Sequence, residues 1–175
     1  IIIVAVLTIV TFKYVKDNDI DIKEYIEESA TMKGTIGDTL SGDDVKITLT
    51  DALIYPRIEG EAFTDTPAEG KEYLVFFFNV ENIDDENNFV SIHNFTGYVD
   101  DTLVASKILI NNVDNVQYLS ADLTPGKKAR GYVAYEVDTN WKQFDIHYKE
   151  NSFDYNDSMI FTVVNEENNQ NNNNA

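Results

Sequence analysis

Residues 71–82, KEYLVFFFNVEN, are the most apolar internal stretch of this chain, and they restrict it to few fold classes. Successive side chains of a strand point to opposite faces, so a strand with one wet face is apolar on one alternating set only. Here both sets are large, with Tyr73, Val75 and Phe77 in one and Leu74, Phe76, Phe78 and Val80 in the other. The stretch is therefore predicted to be a β-strand that is covered on both faces.

The chain after Thr31 consists of short β-type runs separated by turn residues, which is typical of an all-β sandwich or barrel. Pro125 and Gly126, for example, mark a turn between two such runs. We predict an all-β, immunoglobulin-like β-sandwich of about seven to nine strands over residues 36–164. Its predicted core comprises Val45, Ile47, Leu49, Leu74, Phe76, Phe78, Tyr98, Val133, Tyr135, Val137, Phe144, Ile146 and Phe161.

The first twelve residues, IIIVAVLTIVTF, carry no charge. Such a run is too short to cross about 30 Å of hydrocarbon, which needs roughly 20 residues. Because the chain has no initiator Met and begins in mid-run, we interpret residues 1–16 as the end of a truncated transmembrane or signal helix. The acidic residues 17–35 are interpreted as a stalk, and the Asn-rich residues 165–175 as a disordered tail.

The charge balance of the chain narrows the range of its partners. There are 31 Asp and Glu residues against 13 Lys and Arg, which gives a formal net charge of −18. A protein with this charge repels phosphate backbones, so nucleic acid is not expected as a partner. Cysteine is absent, which excludes a disulfide frame, a thiolate nucleophile and the lipid-attachment residue of bacterial lipoproteins. The membrane anchor is therefore expected to be the apolar segment itself, residues 1–12.

Four segments of the middle region, PAEGKEYLVFFFNVEN, NFTGYVDD, LTPGKKARGYVAYEV and WKQFDIHY, resemble a known family. It comprises immunoglobulin-like domains of unknown function on bacterial surface proteins and lipoproteins. The family is grouped with the mycobacterial immunoprotective extracellular antigen and is often labelled telokin-like. The resemblance covers residues 36–164 and implies an extracytoplasmic β-sandwich from a Gram-positive bacterium. It implies no catalytic residue, since the family has no agreed ones.

An acidic cluster near the N-terminus has the oxygen-ligand spacing of a calcium loop. Its ligands would be Asp17, Asp19, Asp21 and Glu28. However, Ile22 occupies the position where the sharp turn of such a loop needs Gly. We therefore interpret this cluster as part of a solvated stalk rather than as a metal site.

A second acidic cluster, Asp84, Asp85 and Glu86, falls in a polar turn between two predicted strands. Carboxylate oxygens are the ligands that calcium prefers, and loops of β-sandwiches can supply them. The three residues are retained as candidate calcium ligands. The alternative is that they only keep an exposed turn solvated.

Trp141 is the only tryptophan, and it follows a turn of polar residues. One interpretation is that it closes an open end of the sandwich as part of the core. The other is that it is exposed on a loop as a platform for a sugar ring, and it is therefore retained as a candidate ligand-binding residue.

Catalytic chemistry is not indicated by the sequence. His93 and His147 are the only histidines, and no Gly-x-Ser-x-Gly nucleophile elbow occurs. A Ser/His/Asp triad would need a serine beside one of them, and a triad is defined by geometry rather than composition. We expect no enzyme activity, no catalytic residue and no cofactor apart from calcium as a candidate.

These observations predict a non-enzymatic, membrane-tethered module on the extracytoplasmic side of the cell membrane, with a cell-envelope protein or glycan as its partner. The alternative is a receptor for a small ligand or carbohydrate that uses Trp141 and the turn from Asp84 to Asn88, with or without calcium. An exposed apolar patch ringed by polar groups would favour the first. A concave pocket lined by Trp141 would favour the second.

Overall fold

Alternating apolar and polar residues form strands through most of the chain that the structure describes. The computed structural model describes residues 31–149, 159–166 and 168. The strands, numbered along the chain, are β1 (Met32–Gly34), β2 (Thr39–Ser41), β3 (Val45–Tyr55), β4 (Ile58–Glu59), β5 (Thr64–Asp65), β6 (Lys71–Asn82), β7 (Asn88–Ser91), β8 (Phe95–Val99), β9 (Thr102–Val104), β10 (Ser106–Lys107), β11 (Ser120–Leu123), β12 (Lys128–Asp138), β13 (Gln143–Tyr148) and β14 (Met159–Val164).

Ten of the strands form two five-stranded sheets, β4 pairs with β5 and β7 with β11 in two smaller ones, and the predicted all-β sandwich is confirmed. The first sheet has the order β1-β14-β13-β8-β9, in which only β1 and β14 are parallel. The second sheet has the order β10-β12-β6-β3-β2 and is antiparallel throughout. The four edge strands have two or three residues each, and such short edges offer little backbone for pairing with another chain.

The main core lies between the two sheets and is rich in aromatic rings. Phe76 packs against Tyr135 and Phe144, with ring centroids 5.9 and 4.8 Å apart, and Phe78 packs against Phe161 at 5.8 Å. Apart from Tyr98, all the residues predicted for the core belong to this buried cluster. The alternation of β3, β6, β12 and β13 therefore locates the core correctly.

Tyr98 corrects the predicted core, because β8 has the opposite phase. Phe95 and Gly97 point into the sandwich, so Tyr98 is half-buried on the outer face, where its ring lies 4.7 Å from that of His147. A Cβ atom on Gly97 would lie 2.5 Å from a ring carbon of Tyr135 and 2.6 Å from one of Phe144. The sequence hides this phase because the central inward position of β8, Gly97, carries no side chain.

A second core covers the outer face of the second sheet. Buried residues of β6 and β12 on this face pack against a covering segment, residues 108–118, and against Ile58 of β4. The members of this cluster are Ile58, Tyr73, Val75, Phe77, Leu109, Val113, Val116, Tyr132 and Ala134. The prediction that residues 71–82 form a strand covered on both faces is confirmed.

The ends of the predicted domain differ slightly from the observed strands. β1 lies within the segment interpreted as a stalk, so the sandwich begins at Met32 rather than at residue 36. At the other end, Asn168 donates hydrogen bonds from its Nδ2 to the backbone oxygens of Thr139 and Trp141. The helix predicted at residues 1–16 and the calcium-loop spacing within residues 17–28 lie outside the described residues. In the part of the chain that is described, no helix is long and apolar enough to cross a membrane.

Candidate functional site

Asp84, Asp85 and Glu86 follow β6 in an acidic loop that Asn82 holds in place. Asn82 is fully buried. Its Nδ2 donates to the backbone oxygens of Glu86 and Leu123, both at 2.8 Å, and its Oδ1 accepts from the backbone N–H of Asp84 at 3.0 Å. The three candidate calcium ligands therefore share one loop, whose backbone is bonded at two points to a single buried amide.

The turn between β2 and β3 brings further acid to this end of the sandwich. The backbone oxygen of Asp44 accepts hydrogen bonds from the N–H groups of Ile83 and Asp84, at 2.9 and 3.2 Å. Burial raises the pKa of the Asp44 carboxyl, and the charges of Asp84, Asp43 and Glu86 raise it further. Over the described residues, no three carboxylate or imidazole groups are arranged to hold a metal ion, and the calcium site stays a prediction.

Trp141 lies in the core rather than on a loop surface. Its side chain is 3% exposed, and its indole Nε1 donates a hydrogen bond to Oε1 of Glu72 at 3.0 Å. The ring therefore has no open face on which a sugar could stack, and the interpretation as a closing core residue replaces the one as a ligand platform. The physical reason is that the turn at Asp138 folds back, with the Trp141 N–H bonded to the Asp138 oxygen at 3.2 Å.

The two histidines lie on different elements of the fold, the turn before β8 and strand β13. His93 is exposed in a single 3₁₀ turn, Ile92–Asn94, and its backbone N–H donates to Oγ of Ser91, which caps that turn. His147 lies on the outer face of β13, beside the ring of Tyr98. The Ser91 Oγ therefore accepts a hydrogen bond from the backbone of His93 rather than from its imidazole.

The outer face of the first sheet carries a groove of about 460 Å³ over β8, β13 and β14, the first-sheet groove. Tyr98 and His147 supply a pair of aromatic rings on its floor, with centroids 4.7 Å apart and planes tilted by 51°. Beside them, Asp145 accepts hydrogen bonds from Oγ1 of Thr162 at 2.6 Å and from Nε2 of Gln143 at 2.9 Å. Aromatic faces next to oriented polar groups are the combination that binding sites for polar ligands use.

A group of exposed apolar side chains, the apolar ridge, lies on the outer side of the second core. It comprises Phe63, Ile108 and Ile110, which are 67%, 64% and 74% exposed. Asp65, itself buried, accepts from the backbone N–H groups of Ile110 and Asn111 at 3.0 and 2.9 Å. These bonds, and one from Asn111 Nδ2 to the Phe63 oxygen at 3.0 Å, hold the two segments of the ridge side by side.

Residues 34–170 match a family described as a domain of unknown function, DUF4352. The chain belongs to this family. The match confirms the resemblance to bacterial extracytoplasmic immunoglobulin-like domains of unknown function. None of the curated proteins matches this DUF4352 chain in sequence.

Several solved structures share the fold of the DUF4352 chain at low sequence identity. YcdA of Bacillus subtilis, a candidate lipoprotein, has a TM-score of 0.59 and 15% identity over 77% of this chain and 41% of its own. A candidate lipoprotein of Staphylococcus aureus has a TM-score of 0.52 and 17% identity, over 74% of this chain and 90% of its own. The secreted protein MPT63 of Mycobacterium tuberculosis has a TM-score of 0.51 and 13% identity, over 76% and 98%.

The surfaces of the DUF4352 domain were only partly visible in its sequence. The phase of β13 places Asp145 and His147 together, opposite Phe144 and Ile146, and this signal is readable without a structure. The pairing of His147 with Tyr98 is not readable, since Tyr98 is expected in the core. The two segments of the apolar ridge are far apart in the sequence: Asp65 and Ile110, which are hydrogen-bonded, are separated by 45 positions. No local pattern links them.

Proposed function

We propose that this chain is a non-enzymatic interaction module, held on the extracytoplasmic side of the cell membrane by residues 1–12, and that its partner is a protein of the cell envelope. Two structural relatives are candidate lipoproteins and a third is a secreted protein, which supports an extracytoplasmic location. The apolar N-terminal segment would do the tethering that a lipid does in a lipoprotein.

The apolar ridge is the observation that carries this proposal. Its three side chains are exposed although the residue between two of them, Leu109, is only 4% exposed. The segment therefore buries one apolar residue to cover the sheet and displays its neighbours to solvent. Exposed apolar groups that are gathered on a rigid support mark surfaces for protein association, where a few large side chains contribute most of the binding energy.

The test compares partner capture by three forms of the full chain in its own cell envelope. The ridge variant is Phe63→Ser with Ile110→Ser, and the matched control is Phe89→Ser with Leu103→Ser, whose side chains are 59% and 63% exposed elsewhere on the domain. We expect the wild type and the control to be cross-linked to the same envelope protein and the ridge variant to lose it. Equal cross-linking by all three forms would contradict the proposal. Cleavage of the domain by protease added to intact cells tests its location.

A carbohydrate receptor is the second candidate function, and the first-sheet groove favours it. The ring pair of Tyr98 and His147 beside Asp145 offers stacking and hydrogen bonding at one place. Such a receptor would use this groove rather than Trp141, whose indole is buried. Calcium, bound at Asp84, Asp85 and Glu86, would stabilise the acidic loop by relieving repulsion between carboxylates.

A glycan array with the full chain in non-ionic detergent tests this candidate, with calcium and with EDTA. We expect Tyr98→Ala to abolish binding, and Tyr118→Ala, which removes a 46% exposed tyrosine from the segment that covers the second sheet, to retain it. Calcium dependence would be lost when Asp84 and Asp85 are changed to Asn and Glu86 to Gln. An array on which no glycan binds in either condition removes this candidate and leaves the first.

A further inference from the structure

The outer face of the second sheet is divided into a covered half and an open half. The second core covers one half. The other half is a groove of about 540 Å³ over β2, β3, β6 and β12, which we name the second-sheet groove. Its polar floor is formed by Thr39, Lys46, Thr48, Asn79, Glu81, Lys128 and Arg130.

The second-sheet groove reverses the charge of the rest of the chain. In the whole sequence, acidic residues outnumber Lys and Arg by 31 to 13. Among the residues that line the groove, Lys46, Lys128 and Arg130 face a single carboxylate, that of Glu81. A local positive field of this kind attracts anions to a protein whose net charge repels them.

Strand register arranges these charges in two adjacent rows. Glu81 is paired with Lys46 on one side and with Lys128 on the other. Asn79, two residues back on the same strand, is likewise paired with Thr48 and Arg130. With strands about 4.8 Å apart and a rise of about 3.4 Å per residue, the Cα atoms of Lys46 and Arg130 lie about 12 Å apart.

The cations of the groove differ in how far they are neutralised. Lys128 forms an ion pair with Glu81, with 3.0 Å between Nζ and Oε2. Arg130 instead lies over the ring of Phe77, with its guanidinium carbon 5.9 Å from the centroid, which orients the group without neutralising it. Among the described residues, neither Lys46 nor Arg130 forms an ion pair. Two positive charges are therefore available to a ligand.

We propose that the second-sheet groove binds a linear polymer that carries phosphate groups along its length. Lys46 and Arg130, whose Cα atoms lie about 12 Å apart, can each contact a different anion of a chain, whereas a single carboxylate would leave one of them without a partner. Arg binds phosphate oxygens through its planar fork and Lys binds them as a point charge. The hydroxyls of Thr39 and Thr48, which share a hydrogen bond of 2.7 Å, and the amide of Asn79 add neutral hydrogen-bonding groups.

This inference goes beyond the proposed function and does not depend on it. The apolar ridge would contact a protein, whereas the groove would hold a polyanion against the domain. Because the remaining surface is acidic, repulsion elsewhere confines the polymer to the groove. Binding is therefore expected to be local and strongly sensitive to salt.

The experiment is a calorimetric titration of the full chain, in non-ionic detergent at low ionic strength, with linear inorganic polyphosphate. The test variant is Lys46→Gln with Arg130→Gln. The matched control is Lys33→Gln with Lys142→Gln, which removes the same charge from residues on the first sheet face. We expect the test variant to bind at least about tenfold more weakly, as the loss of charge-assisted contacts implies, and the control to change little. Equal unfolding midpoints in urea verify that both variants are folded.

Two further readouts distinguish binding in the second-sheet groove from nonspecific electrostatic attraction. Glu81→Gln, which removes the only carboxylate of the groove, is expected to tighten binding severalfold, and a misfolded protein would not show this gain. The logarithm of the affinity should fall with the logarithm of the salt concentration with a slope of about −1.4 for the two available cations. In the test variant this slope should become shallower.

Four results would overturn the proposal. One is that the wild type and the test variant bind polyphosphate with equal affinity. Another is that the control loses as much affinity as the test variant. The third is binding of polyglutamate of the same charge as tightly as polyphosphate, because the groove would then have no preference for phosphate. The last is capture by phosphatidylglycerol vesicles without binding of polyphosphate, which would identify a lipid surface instead of a polymer.

Discussion

The indole N–H of Trp141 and the carboxylate of Glu72 are joined by a hydrogen bond of 3.0 Å at one end of the sandwich. Glu72 belongs to β6, and Trp141 follows the turn after β12, so the bond ties that turn to the neighbouring strand. Trp141 has a single side-chain polar atom, and in a ring that is 3% exposed this atom needs a partner. Glu72 therefore decides whether the indole can be buried without cost.

Removing the acceptor should destabilise the domain. We expect Glu72→Ala to lower the free energy of unfolding by about 1 to 3 kcal/mol, since the buried indole N–H is left without a partner. Glu72→Gln keeps a side-chain oxygen at the same place and should cost less. Urea unfolding, followed by fluorescence, measures both, because Trp141 is the only tryptophan. An unchanged midpoint in Glu72→Ala would show that water satisfies the indole.

Gly97 leaves the space that two aromatic rings fill. We expect Gly97→Ala to lower the free energy of unfolding by about 1 to 3 kcal/mol, because the new methyl group overlaps the rings of Tyr135 and Phe144. Thr96→Ala, on the opposite face of the same strand, is the control and should have a smaller effect. The urea midpoint is the measurement, and equal effects at the two positions would argue against close packing at Gly97.

Much of the fold follows from residues whose alternation has a physical cause. The covering of β6 on both faces is predictable from its sequence, because its two alternating sets of side chains pack into two different apolar clusters and both sets are therefore large and apolar. The phase of β8 differs from the prediction because its central inward position is Gly97, which leaves Tyr98 as the one large side chain in the middle of the strand. An absent side chain can be as important to packing as a present one, and periodicity detects only the latter.

The candidate sites were less visible because they depend on long-range placement. Trp141 follows a polar turn, and nothing local reveals that its ring meets Glu72, at a sequence separation of 69. The second-sheet groove is a clearer case: Lys46 and Lys128 are brought together by their common partner Glu81. Such pairing is a property of sheet order, which one sequence does not encode locally.

Tyr135 carries a buried hydroxyl for which the described residues supply no hydrogen-bond partner. We expect Tyr135→Phe to raise the free energy of unfolding by about 1 kcal/mol, because the ring contacts remain and an unpaired polar group is removed. Tyr132→Phe is the matched comparison, since the Tyr132 hydroxyl donates to the backbone oxygen of Asn111 at 3.1 Å. Its loss should lower stability instead. Shifts of the urea midpoint in opposite directions would support an unpaired hydroxyl at Tyr135. A destabilised Tyr135→Phe would instead indicate that a bound water is its partner.

Alkaline pH should destabilise the domain through its buried tyrosines. Burial raises the pKa of Tyr135 above its ordinary value of 10.0 and raises that of Tyr132 to about 12. The folded state therefore keeps both hydroxyls protonated where the unfolded chain loses the protons. Their contribution to stability is complete below pH 10 and falls as the pH rises above it.

Urea midpoints on either side of pH 10 test this prediction, and the double variant Tyr132→Phe with Tyr135→Phe should make stability less dependent on pH. Part of the slope should persist, because burial and the Asp114 hydrogen bond also raise the pKa of Tyr55.

The acidic loop should depend on Asn82 more than on its own carboxylates. Asn82→Ala removes three hydrogen bonds to the backbones of Asp84, Glu86 and Leu123. We expect it to lower the free energy of unfolding by about 1 to 3 kcal/mol, because buried backbone groups lose their partners. Asp85→Asn, on the same loop, removes one charge from the acidic cluster and should leave stability the same or raise it slightly.

The urea midpoint measures the loss of stability in Asn82→Ala, and amide hydrogen exchange at Asp84 shows whether the loop has opened. Fast exchange in Asn82→Ala with slow exchange in Asp85→Asn is the expected pattern, and the reverse would mean that the charges hold the loop.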